Sequence, residues 1–307
     1  MELEDSGGHI PVLPKEVVEL LSPQAGETVV DATLGLGGHA RLLAGQLGPT
    51  GLLIGIDVDP ENLSAARERL AGAACRVELV QGNFADIEAL LRGAGTESVD
   101  VIFADLGVSS THLDQAERGF SFQKDGPLDM RMDPALSVTA SDLVNRLKER
   151  DLGDMIYRNS QESASRVIAR RICEVRREGR ITTTLRLAKV VADALGVDPD
   201  SRWSKTHPAT RVFQALRMEV NDELNNLDRL LKAAPNVLRP GGRIGVISFH
   251  SLEDKQVKLD FRQRKNDNLY RIVTAKPVVA EEDERRTNPR SRSAKFRVAE
   301  RIAPGDD

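Results

Sequence analysis

Residues 31–39 (DATLGLGGH) place one carboxylate, three glycines and a histidine within nine positions. Glycines at 35, 37 and 38 let a backbone turn tightly and come close to a ligand. About 20 residues beyond the loop stands Asp57, where an acidic side chain can accept hydrogen bonds from ribose hydroxyls. A third acid, Asp105, opens the run DLGVSS. The three together suit an adenosine-bearing ligand with a reacting group near Asp105.

Two cofactor classes fit this spacing. Gly35-x-Gly37-x-x-Ala40 matches the loose dinucleotide fingerprint, so a nicotinamide oxidoreductase is a live alternative. Asp31 argues the other way. A carboxylate there would repel a pyrophosphate, whereas it would attract the cationic amino acid end of S-adenosylmethionine. The sulfonium of that cofactor carries its own leaving group, so an enzyme using it mainly has to align amine, methyl carbon and sulfur. A carboxylate at Asp105 could hold the amine protons, or it could simply cap a strand end. His250 and Ser251 do not read as a nucleophilic pair, because neighbours on a strand end point apart. Ser251 and Asp254 read instead as a capping box. Thr206, His207 and Arg211 open a long helix, on which Arg217 and Asn221 share a face. Either group could touch a phosphate or pack.

These residues need a sheet to bring them together, and the chain supplies one. Apolar runs at residues 28–33, 52–57, 76–80 and 99–105 read as buried strands. Helical patterns at 39–46, 59–70 and 86–91 alternate with them, with Asp59 and Pro60 starting the second. The alternation implies right-handed βαβ units on a parallel sheet. Residues 106–134 then form a loop too long to be idle. From about 137 to 195 the pattern is helical throughout, with segments at 140–147, 161–177 and 185–195, which reads as an inserted all-helical domain. A long helix follows at 209–233. Strands resume at 243–249 and 293–302, the last alternating as a half-buried strand does. The expected fold is α/β, a Rossmann-like methyltransferase domain (residues 1–110 and 206–307) around an active-site loop and helical insert (111–205).

The 307 residues are 40% hydrophobic and 29% charged, with a net charge of −4, so the whole-chain field does not announce a nucleic-acid binder. Arginines crowd residues 166–180, and arginines with one lysine crowd 285–301. Each stretch is either a basic patch for nucleic acid or a solvated surface. Cys75 and Cys173 lie far apart, which gives no disulfide framework and no zinc spacing. No apolar run approaches the roughly 18 residues of a membrane span. The acidic start (Glu2, Glu4, Asp5) does not resemble a targeting peptide. A soluble, cytoplasmic enzyme with no membrane partner is expected.

Longer motifs make the reading more specific. They include HIPVL (9–13), GGHA (37–40), DLGVSS (105–110), AERGFSF (116–122), DGPLDMRMD (125–133), FQALR (213–217), NDEL (221–224), ISFHSLED (247–254) and NPRSRSAK (288–295). In this order, from about residue 9 to 302, they resemble the bacterial ribosomal RNA small-subunit methyltransferase H family, also called MraW. The resemblance implies methyl transfer from S-adenosylmethionine to the exocyclic N(4) amine of a cytidine in the decoding region of 16S ribosomal RNA, within the small ribosomal subunit. It leaves a homodimer open. By motif, it implies cofactor contacts at Gly37, Gly38, His39 and Asp57, Phe84 against the adenine, and Asp105 beside the reactive end. The family's glutamine before Leu113-Asp114 is His112 here, which cannot offer an amide's paired donor and acceptor. The resemblance also implies that residues 106–134 and the helical insert receive the cytidine, and it favours RNA binding by Arg290 and Arg292.

Overall fold

A computed structural model describes residues 10–197 and 207–303; His9 and Thr206 of the motifs above lie outside them. The described chain forms two units, one of residues 10–107 and 224–303 and one of residues 108–197 and 207–223. In chain order the elements are α1 (Pro14–Leu21), β1 (Thr28–Asp31), α2 (Gly38–Leu47), β2 (Leu52–Asp57), α3 (Pro60–Leu70), β3 (Arg76–Gln81), α4 (Ile87–Gly93), β4 (Val99–Asp105), α5 (Ser110–Asp114), α6 (Ala140–Arg146), α7 (Glu149–Ser160), α8 (Ser165–Glu178), α9 (Thr184–Leu195), α10 (Thr210–Val220), α11 (Glu223–Val237), β5 (Leu238–Ser248), α12 (Ser251–Asn266), β6 (Tyr270–Ile272), α13 (Glu282–Thr287) and β7 (Lys295–Arg301).

In the first unit, successive strand residues alternate between two cores. Val29, Val101 and Phe103 face α1, α2 and α3. Val30, Ile102 and Ala104 face α4, α11 and α12. Burial on both faces is why these strands read as unbroken apolar runs. The seven strands order β3-β2-β1-β4-β5-β7-β6, the first five parallel and β7 antiparallel to both β5 and β6. This is the doubly wound Rossmann-like sheet expected. β7 is covered on both faces, however, with Phe296 and Val298 in one core, Ala299 in the other and Arg297 buried as well. Asp59 starts α3 as read, its Oδ1 accepting the Glu61 N–H at 2.9 Å.

The second unit packs α6 to α10 around Val144, Ile156, Ile172, Leu187 and Leu216. Residues of the long loop, including Phe120, Leu128 and Met130, are buried in the same core. At Gly119 (φ +73°) a Cβ would stand 2.1 Å from the Pro127 carbonyl oxygen, and at Gly126 one would stand 1.9 Å from that of Ala116. Only glycine permits two stretches of loop to cross this closely. Arg131 donates to both Asp129 oxygens at 2.7 and 2.8 Å, and Asp125 accepts the Leu185 N–H at 3.0 Å. The acids and arginine of DGPLDMRMD therefore fold the loop.

Three expectations need correction. The helix expected at 209–233 is two helices, α10 and α11, broken at Asn221 and Asp222, the latter left-handed at φ +51°. Asn221 is turned inward there. Its Nδ2 donates to the Met130 carbonyl and its Oδ1 accepts the Met132 N–H, both at 2.7 Å. Arg217 is held by both Glu223 oxygens at 2.7 and 2.8 Å, so the two pack within their unit. The cap of α12 is His250 with Glu253, and Ser251 is the first helical residue. Finally, residues 161–164 precede α8 and do not belong to it, Gln161 being the left-handed cap of α7. Among the described residues no helix is long and apolar enough to cross a membrane.

Asn221→Ala should leave a buried carbonyl and N–H unpaired and destabilise the protein by roughly 1–3 kcal/mol. Urea unfolding checks this, and a midpoint unchanged from wild type would contradict it.

Candidate active site

Between β1 and β4 the direction of strand addition reverses. Chain segments leaving such neighbouring strands diverge, and their carboxyl ends open a ligand crevice. Asp31 ends β1, Asp57 ends β2 and Asp105 ends β4, so topology alone gathers the three acids of the sequence pattern.

The loop after β1 is built by its own backbone. The Leu34 N–H donates to the Ile56 carbonyl at 2.9 Å and the Gly37 N–H to that of Leu34 at 2.8 Å. The Gly35 N–H donates to Asp57 Oδ2 at 2.8 Å, and Asp57 Oδ1 accepts the Asp59 N–H at 2.8 Å. Asp57 thus ties two loops together, and the Asn62 amide also donates to both of its oxygens at 3.3 Å. Gly37 is left-handed (φ +78°), and a Cβ on Gly38 would meet Pro11 Cγ at 3.0 Å. The Gly82 N–H donates to the Asp57 carbonyl at 3.0 Å, drawing the exit of β3 beside β2. Asn83 caps the following turn by accepting the Ala85 N–H at 2.9 Å, and this turn carries the half-buried Phe84.

Asp31 is 1% exposed. Burial pushes its pKa up to about 7, Asp57 adds to the rise, and the Thr33 N–H bond opposes it. The Asp105 N–H donates to Thr33 Oγ1 at 2.6 Å. The Asp105 side chain keeps 23% of its surface open, yet its Oδ1 is enclosed and accepts no hydrogen bond from any described residue. Burial, then the charges of Asp31 and Glu253, hold the Asp105 carboxyl well above the usual carboxylate range. Asp31, Asp57, Asp105 and Glu253 together favour a cation and disfavour a pyrophosphate. The strand-end acids beside the glycine loop fit the cationic S-adenosylmethionine.

The sheet brings Gly37, Gly38, His39, Asp57, Phe84 and Asp105 onto the first unit. His112 belongs to the second, buried on α5 with its ring stacked on Phe120 at 4.9 Å. Sequence reasoning missed Thr33, Glu253 and the direction of the His39 side chain. The Asp-x-Thr step at a strand end is a local turn signal that pointed to Thr33; the other two depend on residues distant in sequence. The basic stretches divide. Arg297 and Lys295 pair with Asp254 at 2.7 and 3.4 Å, and Arg285 donates to the Ala280 carbonyl at 2.7 Å. Arg292 is exposed and Arg290 half-buried on the turn Pro289–Ser293. On α8, Arg166 pairs with Asp154 at 2.5 Å and Arg176 donates to the Val144 carbonyl, while Arg170 and Arg177 are exposed.

Residues 6–302 match the profile of the MraW methylase family. Among curated relatives, one from Nostoc punctiforme is 47% identical over 294 residues, covering 96% of this chain and 94% of its own. One from Geobacter sulfurreducens is 47% identical over 310 residues, covering 96% and 99%. One from Acaryochloris marina is 48% identical over 299 residues, covering 97% and 96%. All three are named ribosomal RNA small subunit methyltransferase H.

The acid cluster predicts a pH-dependent stability. With its folded pKa raised from 3.8 to about 7, Asp31 favours the folded state while protonated. That benefit is lost as pH climbs toward 7, at up to about 1.4 kcal/mol per pH unit. Asp31→Asn never ionises, so its Tm advantage over wild type should be larger at pH 8 than at pH 5. A difference that stays flat across that range would contradict the assignment.

Proposed function

The chain belongs to the MraW methylase family, and from that premise we propose that it transfers a methyl group from S-adenosylmethionine to the exocyclic N(4) amine of a cytidine in the decoding region of 16S ribosomal RNA. The bound cofactor supplies a methyl group on a sulfonium, which departs as a neutral thioether. The observation that carries the reading is the gathering of Asp31, Asp57 and Asp105 at the carboxyl ends of β1, β2 and β4, where they suit a cationic donor. Gly37, Gly38 and His39 shape the loop against the cofactor, Asp57 accepts from its ribose, and Phe84 lies against its adenine. Asp31 offsets the charge of its amino acid end. Asp105 accepts from the cytidine amine and orients its lone pair. His112 takes the place of the family's glutamine and can supply one hydrogen bond.

A base cannot react on its pairing edge while stacked and paired, so the cytidine is presented unpaired. The assembled small subunit in the cytoplasm is the setting that holds one base in this way. Arg290 and Arg292 contribute phosphate contacts.

The reading is tested by mass spectrometry of 16S RNA from cells lacking the gene. One cytidine should lose a methyl group and regain it on complementation with the wild-type chain. Complementation with Asp105→Ala should fail, its rate falling by about 100-fold or more. Persistence of the methyl group in the deletion strain would overturn the substrate assignment. The double change Arg290→Glu, Arg292→Glu should weaken RNA binding and flatten its salt dependence by up to about 0.9 in slope per lost contact, with S-adenosylmethionine affinity unchanged. Unaltered RNA affinity would remove the tail from the interface.

A further inference from the structure

A further run of cations lies on α12, between the two arginine-rich stretches of the sequence. Lys255, Lys258, Arg262 and Lys265 follow one another at spacings of three, four and three residues. At 3.6 residues per turn these positions fall within an arc of about 80° and rise about 15 Å along the helix. Val257 and Phe261 fill the core from another side of α12. Lys255, Arg262 and Lys265 are exposed and Lys258 is half-buried. The result is a positive ridge on a chain whose net charge is −4.

The acids on and beside this helix are committed elsewhere. Asp254 takes Arg297 and Lys295 at 2.7 and 3.4 Å. Asp260 faces Arg264 at 3.5 Å, and its Oδ2 is enclosed. Asp267, past the end of the ridge, accepts from Gln263 at 3.0 Å. Glu253 is buried and accepts the Phe249 N–H, and on α11 Asp228 pairs with Lys232 at 2.5 Å. Among the described residues no acid pairs with any of the four ridge cations. A solvated helix face normally interleaves both signs. Like charges three and four residues apart oppose the helix that carries them, and a polyanion laid along them removes that opposition.

The ridge also begins in the right place. β5 pairs with β4 so that Ile247 lies beside Asp105, and α12 starts at Ser251, three residues past the end of β5. Lys255 is therefore about 6 Å along the helix from the crevice edge of the sheet. We infer that this ridge of α12 is a docking surface for the phosphate backbone of the RNA strand whose base enters the crevice. The inference rests on the RNA-methylation reading for the identity of that strand. A membrane surface fits less well. A helix lying on a bilayer buries a broad apolar face, whereas α12 spends Val257 and Phe261 on the core and leaves Leu259 as its one large apolar side chain in the open.

The test replaces the four cations together, Lys255→Gln, Lys258→Gln, Arg262→Gln and Lys265→Gln, since glutamine keeps helix propensity. The probe is a uridine 20-mer, which carries phosphates and no cytidine, so its binding does not depend on methyl transfer. Affinity should fall about tenfold or more at low salt, and the slope of log affinity against log salt should flatten by up to about 0.7 per lost contact. Tm and S-adenosylmethionine affinity should stay as in the wild type. With 16S RNA from the deletion strain, KM should rise while kcat stays within about twofold. The charge-keeping triple change Lys255→Arg, Lys258→Arg, Lys265→Arg should bind the 20-mer as the wild type does. An unchanged salt slope in the glutamine variant would overturn the proposal, as would equal loss in the arginine variant. Tighter wild-type binding to phosphatidylserine vesicles or to polyglutamate than to the 20-mer would also overturn it. Persistence of the 16S methyl group in the deletion strain would remove the methylation reading and leave the 20-mer result standing, so the two failures are distinguishable.

Discussion

The structure depends on burying carboxylates side by side. Asp31 and Asp105 end the two strands between which the sheet reverses, and burial together with a neighbouring carboxylate raises the pKa of each. Burying like charges is costly. A fold that does so holds the acids in place. Thr33 fixes the Asp105 backbone, Asp57 clamps the glycine loop, and the N-terminal segment carries His39. The C-terminal helix α13 then holds that segment through a contact spanning 271 residues of sequence.

This arrangement divides the family motifs by physical role. GGHA, the Asp105 that opens DLGVSS and the Asp57 that ends β2 lie at the crevice. HIPVL and NPRSR support the loop from behind. DGPLDMRMD, FQALR and the start of NDEL fold the second unit, where Arg217, Asn221, Asp129 and Arg131 find partners within their own neighbourhood. A motif shared with a family therefore need not touch a ligand at every position. Asn221 illustrates this: it is a polar residue on a helix face that bonds the backbone at Met130, Met132 and Arg217.

The sheet was largely legible because parallel strands buried on both faces read as unbroken apolar runs, and β1 to β4 fall where those runs lie. The three strand-end acids and the glycine loop were legible because their spacing is local. Features set by distant contacts were not. Helix propensity carries straight through residues 209–233, and only the inward turn of Asn221 breaks it. Serine is the commoner cap, but here His250 Nδ1 accepts the Glu253 N–H at 3.4 Å while Glu253 Oε2 accepts the Phe249 N–H at 2.9 Å. Charge runs were ambiguous for a related reason. Arg297 looks like its neighbours in sequence, but β7 is an interior strand and turns that guanidinium onto Asp254.

The central claim is that the acid cluster receives a cationic methyl donor, and proton-counting calorimetry tests it most directly. At pH 6, below the Asp31 midpoint near 7, titration of S-adenosylmethionine in buffers of different ionisation enthalpy should release up to about one proton per ligand bound as the cation draws Asp31 into its charged form. Asp31→Asn should abolish that release. Binding without net proton release in the wild-type chain, or tighter binding of NAD than of S-adenosylmethionine, would contradict the account.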